Sequence, residues 1–369
     1  MRNLINWIGI DDHADRLTIA HYIGAQKQPA KEWEVAPTEQ GLRQLVRWMK
    51  GLEGTVRCVY EAGPCGYELY RLLTSKKIEC VVAAPSLTPQ KPGDRIKTNR
   101  RDARKLAELH RDGVLTTIVV PDRRQESVRD LMRARDDVRR NVMSARHRLS
   151  QFLLRHGLCF REASAWSAKH WRWIEALKMS EAYEQIVLAE YMAALKARLA
   201  ELKRLDERIG DAAKEPDYAP RVAELTVLRG IDVLSAMTIL SELGDLRRFT
   251  SARQLMAAVG LVPSEYSTGD KTRRFSITKT GNAHVRHILV QAAWNYRYVP
   301  QSGSAVRRRR AQQPPELVEI AKKAEHRLHR KWWRLTSRGK RSTIATTAVA
   351  RELAGFVWAV GQASASTSR

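Results

Sequence analysis

The sequence lacks the features that mark secreted, zinc-binding and membrane-spanning proteins. Its four cysteines (Cys58, Cys65, Cys80 and Cys159) are scattered, and no two have C-x-x-C spacing. A zinc knuckle or a disulfide framework is therefore not expected, and a reducing compartment is favoured. We identify no signal-peptide pattern at the start and no apolar run of 18 residues, so we expect a cytoplasmic protein without a membrane span.

Acidic residues are in short supply relative to basic ones. The 369 residues include 65 Lys+Arg and 40 Asp+Glu, which gives a formal net charge of +25. An excess of this size favours a polyanionic partner, and nucleic acid before a membrane surface. A chain of this length also has room for two or three domains.

The first 120 residues predict a mixed α/β sheet. Residues 4–22 read as a β-hairpin whose buried first strand ends at Asp11 and Asp12. Further strands are predicted at 31–36, 55–60 and 78–84, and helices at 38–49, 67–74 and 101–111. Three consecutive strands followed by alternating helices and strands is the order of an RNase H-like domain.

Three acidic residues occupy positions that this topology brings together. Asp11 ends the first strand, Glu61 follows the fourth, and Asp102 lies in the first turn of the third helix. The ends of strands one and four are neighbours in an RNase H-like sheet. Like charges held this close destabilise a fold unless cations join them. We therefore predict a metal site at these three acids and assign Asp12 to a turn.

Two heptad seams follow, at 128–152 and 188–209, with a tryptophan-rich link between them. They predict a long antiparallel helical hairpin, in which Arg135 and Asp206 are charged interruptions of the kind that fix register. Periodicity leaves two alternatives open: a bundle within one chain, or a coiled coil between chains. The first helix also carries a basic face able to contact phosphates.

A glycine turn near residue 230 is the first candidate nucleic-acid contact of the C-terminal part. Arg229 and Gly230 lie between two short helices, in a pattern similar to a helix-hairpin-helix whose amides face a phosphate. Asp232 occupies the place where that motif usually carries a second glycine. An acid there would weaken phosphate binding, so a purely structural hairpin is an alternative.

A hydroxyl-rich loop is predicted at 258–281. Its candidate residues are the hydroxyls Ser264, Ser267 and Thr268 and the cations Lys271, Arg273 and Arg274. Such loops are often plain surface loops. A hydroxyl beside a cluster of cations is also what attack on a phosphodiester requires. The residues alone do not decide between the two interpretations.

Taken together, the motifs resemble the DEDD-type, serine-dependent transposases of insertion sequences that are guided by a bridge RNA. The matching segments occur in the family's order and are IGIDDH, VYEAGPCGY, DRIKTNRRDARKLAELHRDG, residues 225–274 and ITKTGNAHVRHILVQAAW. The implied domains are a RuvC-like (RNase H-like) metal-binding domain at 1–120, a coiled-coil helical hairpin at 121–215, a mainly helical transposase domain with the helix-hairpin-helix-like element at 216–362, and a disordered tail at 363–369.

The resemblance also implies a metal-binding set. Asp11, Glu61 and Asp102 would be three of four acids that bind Mg²⁺ as cofactor. Asn99 stands at the position of the fourth acid. An amide oxygen can still bind the ion or hold a ligand water, but it brings no charge.

For the nucleophile, the resemblance implies Ser267, which matches the first serine of an S-S-G step. Thr268 is the alternative because it adjoins the glycine. The implied partners are DNA, a bridge RNA and further copies of the chain, as a dimer or as a tetramer in synapsis, with no membrane. Two other functions stay open: a metal-dependent junction resolvase or nuclease that uses water, and a nucleic-acid-binding protein with a decayed site.

Overall fold

The described parts of the computed structural model are residues 4–89, 98–268, 271–301 and 303–363. Five side chains in the segment 267–274 lie outside that description, although their backbones are within it: Ser267, Thr268, Lys271, Thr272 and Arg274. The sequence predicts a tail at 363–369: Ala363 is instead the last residue of a helix, and residues 364–369 are outside the description. The chain divides into two units, residues 1–121 and 122–369.

The first unit is built on a five-stranded mixed sheet. Its strands and α-helices in chain order are β1 (Ile5–Asp12), β2 (Leu17–Ile23), β3 (Lys31–Val35), α1 (Glu39–Lys50), β4 (Thr55–Glu61), α2 (Glu68–Ser75), β5 (Glu79–Ala83) and α3 (Asn99–Arg111). The strand order is β3-β2-β1-β4-β5. β1 is antiparallel to β2 and parallel to β4. The predicted mixed α/β fold is confirmed, and it is consistent with an RNase H-like domain.

The alternation of β1 divides its side chains between two layers. Ile8 is fully buried in a core shared with α1 and α2. Gly9 faces α3, where Ala103 and Ala107 are buried. A Cβ on Gly9 would lie 2.0 Å from the carbonyl oxygen of Ala103. Only glycine therefore allows α3 to approach the sheet this closely.

The second unit is mainly helical in its described residues. Its strands and α-helices are α4 (Arg123–Arg155), α5 (Ala168–Ala176), α6 (Ala182–Ala212), α7 (Ala219–Leu225), α8 (Val233–Leu243), α9 (Ala252–Ala258), β6 (Pro263–Thr268), β7 (Lys271–Ile277), α10 (Ala283–Ala293), α11 (Ser304–Ala311), α12 (Pro315–Thr336) and α13 (Ser342–Ala363). Helices α7, α8, α9, α10, α12 and α13 share one large hydrophobic core, to which the adjoining ends of α4 and α6 also contribute.

Helices α4 and α6 pair antiparallel within one chain. Arg135 Nε donates to Asp206 Oδ1 at 2.8 Å, so the two charged interruptions of the seams meet each other. Leu149 and Leu195 are fully buried in the cluster between the helices. Of the two alternatives that periodicity leaves open, the structure has the one in which the same chain fills both sides of the seam.

The stretch predicted as a loop at 258–281 contains a β-hairpin instead. β6 and β7 pair antiparallel, with Ser267 opposite Thr272 and Thr268 opposite Lys271. Both strands are rich in hydroxyl and charged residues. They carry no apolar alternation, which is the signal that predicts a strand. Residues 269 and 270 lie outside the described part of the chain.

By length and composition alone, helix α13 is long and apolar enough to cross a membrane. Every 18-residue window of this helix contains Arg351 and Glu352, so the helix is not an unbroken apolar run and does not contradict the expectation from the sequence. Val349, Leu353 and Val357 of α13 are buried in the core of the second unit. A core helix passes the same test, so this one helix is weak evidence for a membrane.

Candidate active site

Asp11 and Glu61 lie side by side at one edge of the sheet. β1 and β4 are parallel, with Ile10 in register with Tyr60, and each acid is the next residue on its strand. Alternate residues of a strand face the same side of a sheet. Asp11 lies two residues after Gly9, and Glu61 lies two residues after a buried β4 residue that packs against α3. Both side chains therefore belong to the face of the sheet that α3 covers.

Each of these two acids has a neighbour from a loop. Asp11 Oδ2 lies 3.1 Å from His13 Nε2, and its side chain is 17% exposed. Glu61 Oε1 accepts a 2.9 Å hydrogen bond from Thr88 Oγ1. Neither contact could be predicted from the sequence, because each depends on where a loop folds back.

The direction of α3 places its first turn near the same edge. Trp7 of β1 contacts His110 near the end of α3, with ring centroids 5.2 Å apart. Two residues further along β1, Gly9 contacts Ala103. The helix therefore runs antiparallel to β1. The next residue of β1 on the same face, Asp11, lies toward the start of α3.

Asn99 and Asp102 both belong to that first turn. Thr98 caps the helix, because its side chain accepts a hydrogen bond from the Arg101 amide at 3.3 Å. Residues three apart share one face of a helix, so Asn99 and Asp102 point in a similar direction. The cap fixes where α3 begins, and so it fixes the positions of both residues in the first turn.

The donor set fits a divalent cation in its chemistry. Carboxylate and amide oxygens are the hard ligands that Mg²⁺ and similar ions prefer. Among the residues that the structure describes, no group of three or more His, Cys, Asp or Glu side chains is gathered closely enough to hold one ion. Asp11 and Glu61 end neighbouring strands and Asp102 lies in the first turn of α3, but in the described part of the chain the three acids do not form a preassembled ligand cluster.

Asp12, which the sequence assigns to a turn, is the last residue of β1. Burial raises the pKa of its carboxyl group, while a hydrogen bond from Cys65 opposes that rise. The charge of Asp11 raises the pKa further, and His13 lowers it. Nothing in the sequence pattern marks Asp12 as a perturbed acid, because two adjacent acids after an apolar run are also the start of an ordinary turn.

Arg229 and Gly230 have packing contacts in the structure. Gly230 has φ of +84°, and a Cβ there would lie 2.5 Å from the carbonyl oxygen of Ala292 in α10. Arg229 donates to a backbone carbonyl 2.7 Å away, in the segment after α10. Asp232 caps α8 by accepting from the Ser235 amide at 2.8 Å. These contacts favour the structural alternative, and nucleic-acid binding by Arg229 and Gly230 stays a prediction.

The hairpin β6–β7 presents exposed side chains. Tyr266 and Phe275 are 66% and 61% exposed, and Arg273 is exposed opposite Tyr266. Ser264 Oγ donates to the carbonyl oxygen of Ser276 at 3.0 Å, so it is bound into the hairpin. The side chains of the other candidates, Ser267, Thr268, Lys271 and Arg274, lie outside the described part of the structure.

Comparison with known proteins identifies the class of this fold and site. The profile of the DEDD transposase domain of IS110 elements matches residues 8–157, which span the sheet, α3 and α4. A second profile, described as the transposase IS116/IS110/IS902 family, matches residues 222–312, which contain the β6–β7 hairpin. The two halves of the chain thus both match insertion-sequence transposases.

Whole-chain relatives agree with the two profiles. The chain is 40% identical to a protein of Sinorhizobium fredii named as transposase y4qE, over 98% of this chain and 90% of the relative. It is 31% identical to the transposase for insertion sequence element IS1533 of Leptospira borgpetersenii, over 91% of this chain and 98% of the relative. The chain belongs to the IS116/IS110/IS902 family of transposases.

Family membership settles the coarse function. The chain is a DNA transposase of an insertion sequence, and its DEDD domain implies dependence on a divalent metal. This agrees with the expectation of an enzyme that acts on DNA.

Proposed function

We propose that this transposase cuts and rejoins DNA strands through a covalent intermediate between Ser267 and a DNA phosphate. Asp11, Glu61 and Asp102, with Asn99, would hold Mg²⁺. The observation that carries the metal site is the parallel register of β1 and β4, which makes Asp11 and Glu61 neighbours. The serine assignment rests on its place in the S-T-G step and on the cations that follow it in the sequence.

The chemistry of such a step balances without a co-reactant. The Ser267 oxygen gives its proton to a base and forms a bond to phosphorus. One P–O bond of the DNA backbone breaks, and the leaving DNA oxygen takes up a proton to become a hydroxyl end. A hydroxyl end of DNA then attacks the serine phosphodiester, which rejoins a strand and restores Ser267. A hydroxyl is a poor nucleophile at neutral pH and needs activation. A divalent cation supplies charge that stabilises developing anions.

The basic residues of β7 would stabilise the phosphate that is attacked. Arg273, together with Lys271 and Arg274, would offset charge that builds on the phosphate during attack. The strand setting of Ser267 supports this role, because a hairpin holds its residues more precisely than an irregular loop. In β6 Ser267 pairs with Thr272, directly before the arginine pair.

Selection of the DNA sites is assigned to a bridge RNA. The net charge of +25 suits binding through phosphates. If base pairing supplies sequence choice, the protein needs few contacts to base edges. We further propose that a homo-oligomer, a dimer or a tetramer in synapsis, joins two DNA partners.

Trapping the covalent adduct tests the nucleophile. Purified protein is incubated with co-purified RNA, element-end DNA and Mg²⁺, and adducts are trimmed with nuclease and located by mass spectrometry. We expect a nucleotide on Ser267, no adduct from Ser267→Ala, and a weaker signal from Thr268→Ala. Asp11→Ala should abolish cleavage while nucleic-acid binding stays nearly intact.

Two outcomes would contradict the proposal at different points. A nucleotide on Thr268 or Ser264 would overturn the choice of residue. Active enzyme that releases cut ends without any adduct would overturn the covalent mechanism and support a metal-dependent nuclease that uses water.

A further inference from the structure

Helix α12 separates the roles of two adjacent tryptophans. Trp332 points inward: its Nε1 donates to Thr346 Oγ1 at 3.2 Å, and its ring packs against the core. Trp333 is 53% exposed, and its Nε1 donates to the carbonyl oxygen of Arg297 at 3.2 Å. The hydrogen bond holds the indole in place while a large part of its surface stays open to solvent.

The segment after α10 extends this exposed aromatic surface. Tyr298 and Val299 are 53% and 59% exposed. The guanidinium of Arg297 lies 4.5 Å from the centroid of the Tyr298 ring. Arg229 donates to the carbonyl oxygen of Val299 at 2.7 Å and so fixes the backbone of this segment. These contacts hold the backbone and the indole in place next to exposed aromatic surface.

A cavity of about 690 Å³ opens beside Trp333. It is lined by Pro300, His326, His329, Arg330, Trp333, Arg334 and Ser337. This size falls within the usual range for sites that take small organic ligands. The lining offers one aromatic face and several cationic side chains, and it contains no acid.

The two arginines of this cavity differ from their neighbours on the same helix. Arg327 and Lys331 both bind Glu352, at 3.0 Å and 2.5 Å. Arg330 and Arg334 lie four residues apart on α12, and each is exposed. Within the described segments, no carboxylate pairs with either of them. Their charge is therefore available to an anionic ligand.

We propose that this surface, formed by Trp333, Tyr298, Arg330 and Arg334, binds an unpaired nucleotide of a single strand. The base stacks on the Trp333 ring, and the flanking phosphates contact Arg330 and Arg334. Aromatic faces bordered by cations are the general means of holding single strands. A base inside a duplex has both faces stacked already, so the surface selects unpaired nucleotides.

This inference rests on the proposed function in one respect: strand exchange opens duplexes, and a guide RNA carries unpaired segments. DNA and RNA share the required chemistry, a base flanked by phosphates. The test therefore measures both kinds of strand separately. It uses no metal, so that binding is observed without cleavage.

The probe is 2-aminopurine placed within short single strands of DNA or RNA, with a blunt DNA duplex for comparison. Stacking on an indole quenches its fluorescence, and titration gives Kd. We expect Trp333→Leu to weaken single-strand binding about tenfold and to remove the quenching, because one base–aromatic stack is lost. Trp333→Phe should keep most of both signals. Duplex binding should change little.

Tyr183→Leu is the matched control. Tyr183 is 83% exposed on α6, between the acids Glu181 and Glu184. It is an exposed aromatic residue of the same unit without flanking cations, so its loss should leave single-strand Kd unchanged. Equal losses from both substitutions would mean that any exposed aromatic group serves, which would overturn the inference.

Arg330→Gln together with Arg334→Gln provides a second readout that does not remove an aromatic ring. Each phosphate contact on a single strand contributes about 0.7 to the slope of log K against log salt. The double substitution should therefore lower the slope by about 1.4. An unchanged slope, or quenching that survives Trp333→Leu, would refute the site. If Trp333→Leu lowers the melting temperature, the arginine pair and Trp333→Phe carry the test.

The result is separable from the serine mechanism. The covalent adduct on Ser267 is measured on the same variants with Mg²⁺ present. If Trp333→Leu loses the quenching while Trp333→Phe and Tyr183→Leu keep it, the result concerns only the α12 surface. If the adduct is absent while quenching is intact, the result concerns only the nucleophile.

Discussion

Glu242 is a buried acid whose surroundings hold it ionised. Arg133 donates to both of its carboxylate oxygens, at 2.8 Å and 3.1 Å, and Asn282 Nδ2 donates at 2.7 Å. Burial by itself raises the pKa of Glu242. Hydrogen bonds from Arg133 and Asn282 and the charge of Arg129 outweigh burial, so the pKa is lowered overall. The cluster ties α4 to α8 and to the start of α10.

Glu242→Gln should destabilise the second unit at neutral pH by about 2 kcal/mol, because it removes the charge of a buried carboxylate that accepts hydrogen bonds from Arg133 and Asn282. A carboxyl group with a lowered pKa contributes stability above its unfolded pKa, about 4.3. That contribution is lost as pH falls through the lower folded pKa. Urea unfolding of wild type and variant at neutral and acidic pH should therefore show a difference that shrinks below about pH 4.

The control for this substitution is Glu207→Gln. Glu207 is 62% exposed, and its salt bridge to Lys203 is long, at 3.9 Å. Its loss should change stability very little at any pH. A pH-independent difference for Glu242→Gln would show that the side chain matters through shape and not through charge.

The position of α3 depends on one residue of β1. Gly9 leaves room for the backbone of α3, and the same helix carries Asn99 and Asp102 toward the sheet edge. Sequence periodicity predicted the helix and the strand separately. Periodicity does not show how closely the helix and the strand approach, because glycine has no side chain that could contribute to an apolar pattern.

Gly9→Ala should displace α3 and with it Asp102. The added Cβ meets backbone atoms of Ala103 that cannot rotate away, and overpacking of this kind costs about 2 kcal/mol. We expect a lower melting temperature together with loss of strand cleavage. Gly51→Ala is the control, since its Cβ would meet nothing closer than 3.5 Å. Normal cleavage by Gly9→Ala would contradict a role for α3 in the site.

Two other parts of the structure could not be predicted fully from the sequence: the partner of the heptad seams and the β6–β7 hairpin. The heptad seams predicted both long helices, and Arg135 with Asp206 was recognised as a register device. Which chain fills the seam could not be decided, because periodicity describes a face and not the identity of its partner. The β6–β7 hairpin was missed because its strands are polar on both sides.

At the scale of the whole molecule, charge was the most informative sequence property. The net charge of +25 indicates a nucleic-acid partner before any fold is known. The order of strands then brought Asp11 and Glu61 together, since parallel strands align their ends. The surface around Trp333 could not be predicted, because adjacent tryptophans give no sign of which one faces solvent.

Binding of duplex DNA by the whole protein should depend steeply on salt. If about six phosphates are neutralised, affinity should fall about a thousandfold between roughly 50 and 200 mM salt. Fluorescence anisotropy with labelled duplexes of unrelated sequence measures this directly. Unrelated sequences should give similar slopes without the guide RNA, and a flat response would mean that phosphates contribute little.

Helix α4 runs for 33 residues without a break, which corresponds to about 50 Å. Its first turns belong to the core of the second unit, through Val128 and Met132, and its far end belongs to the cluster around Leu149. Near the base, Arg133 clamps it to Glu242. One continuous helix therefore connects the far end of the helical hairpin to the core of the second unit. A displacement of that far end would be transmitted along α4 to the point where Arg133 and Glu242 join it to α8.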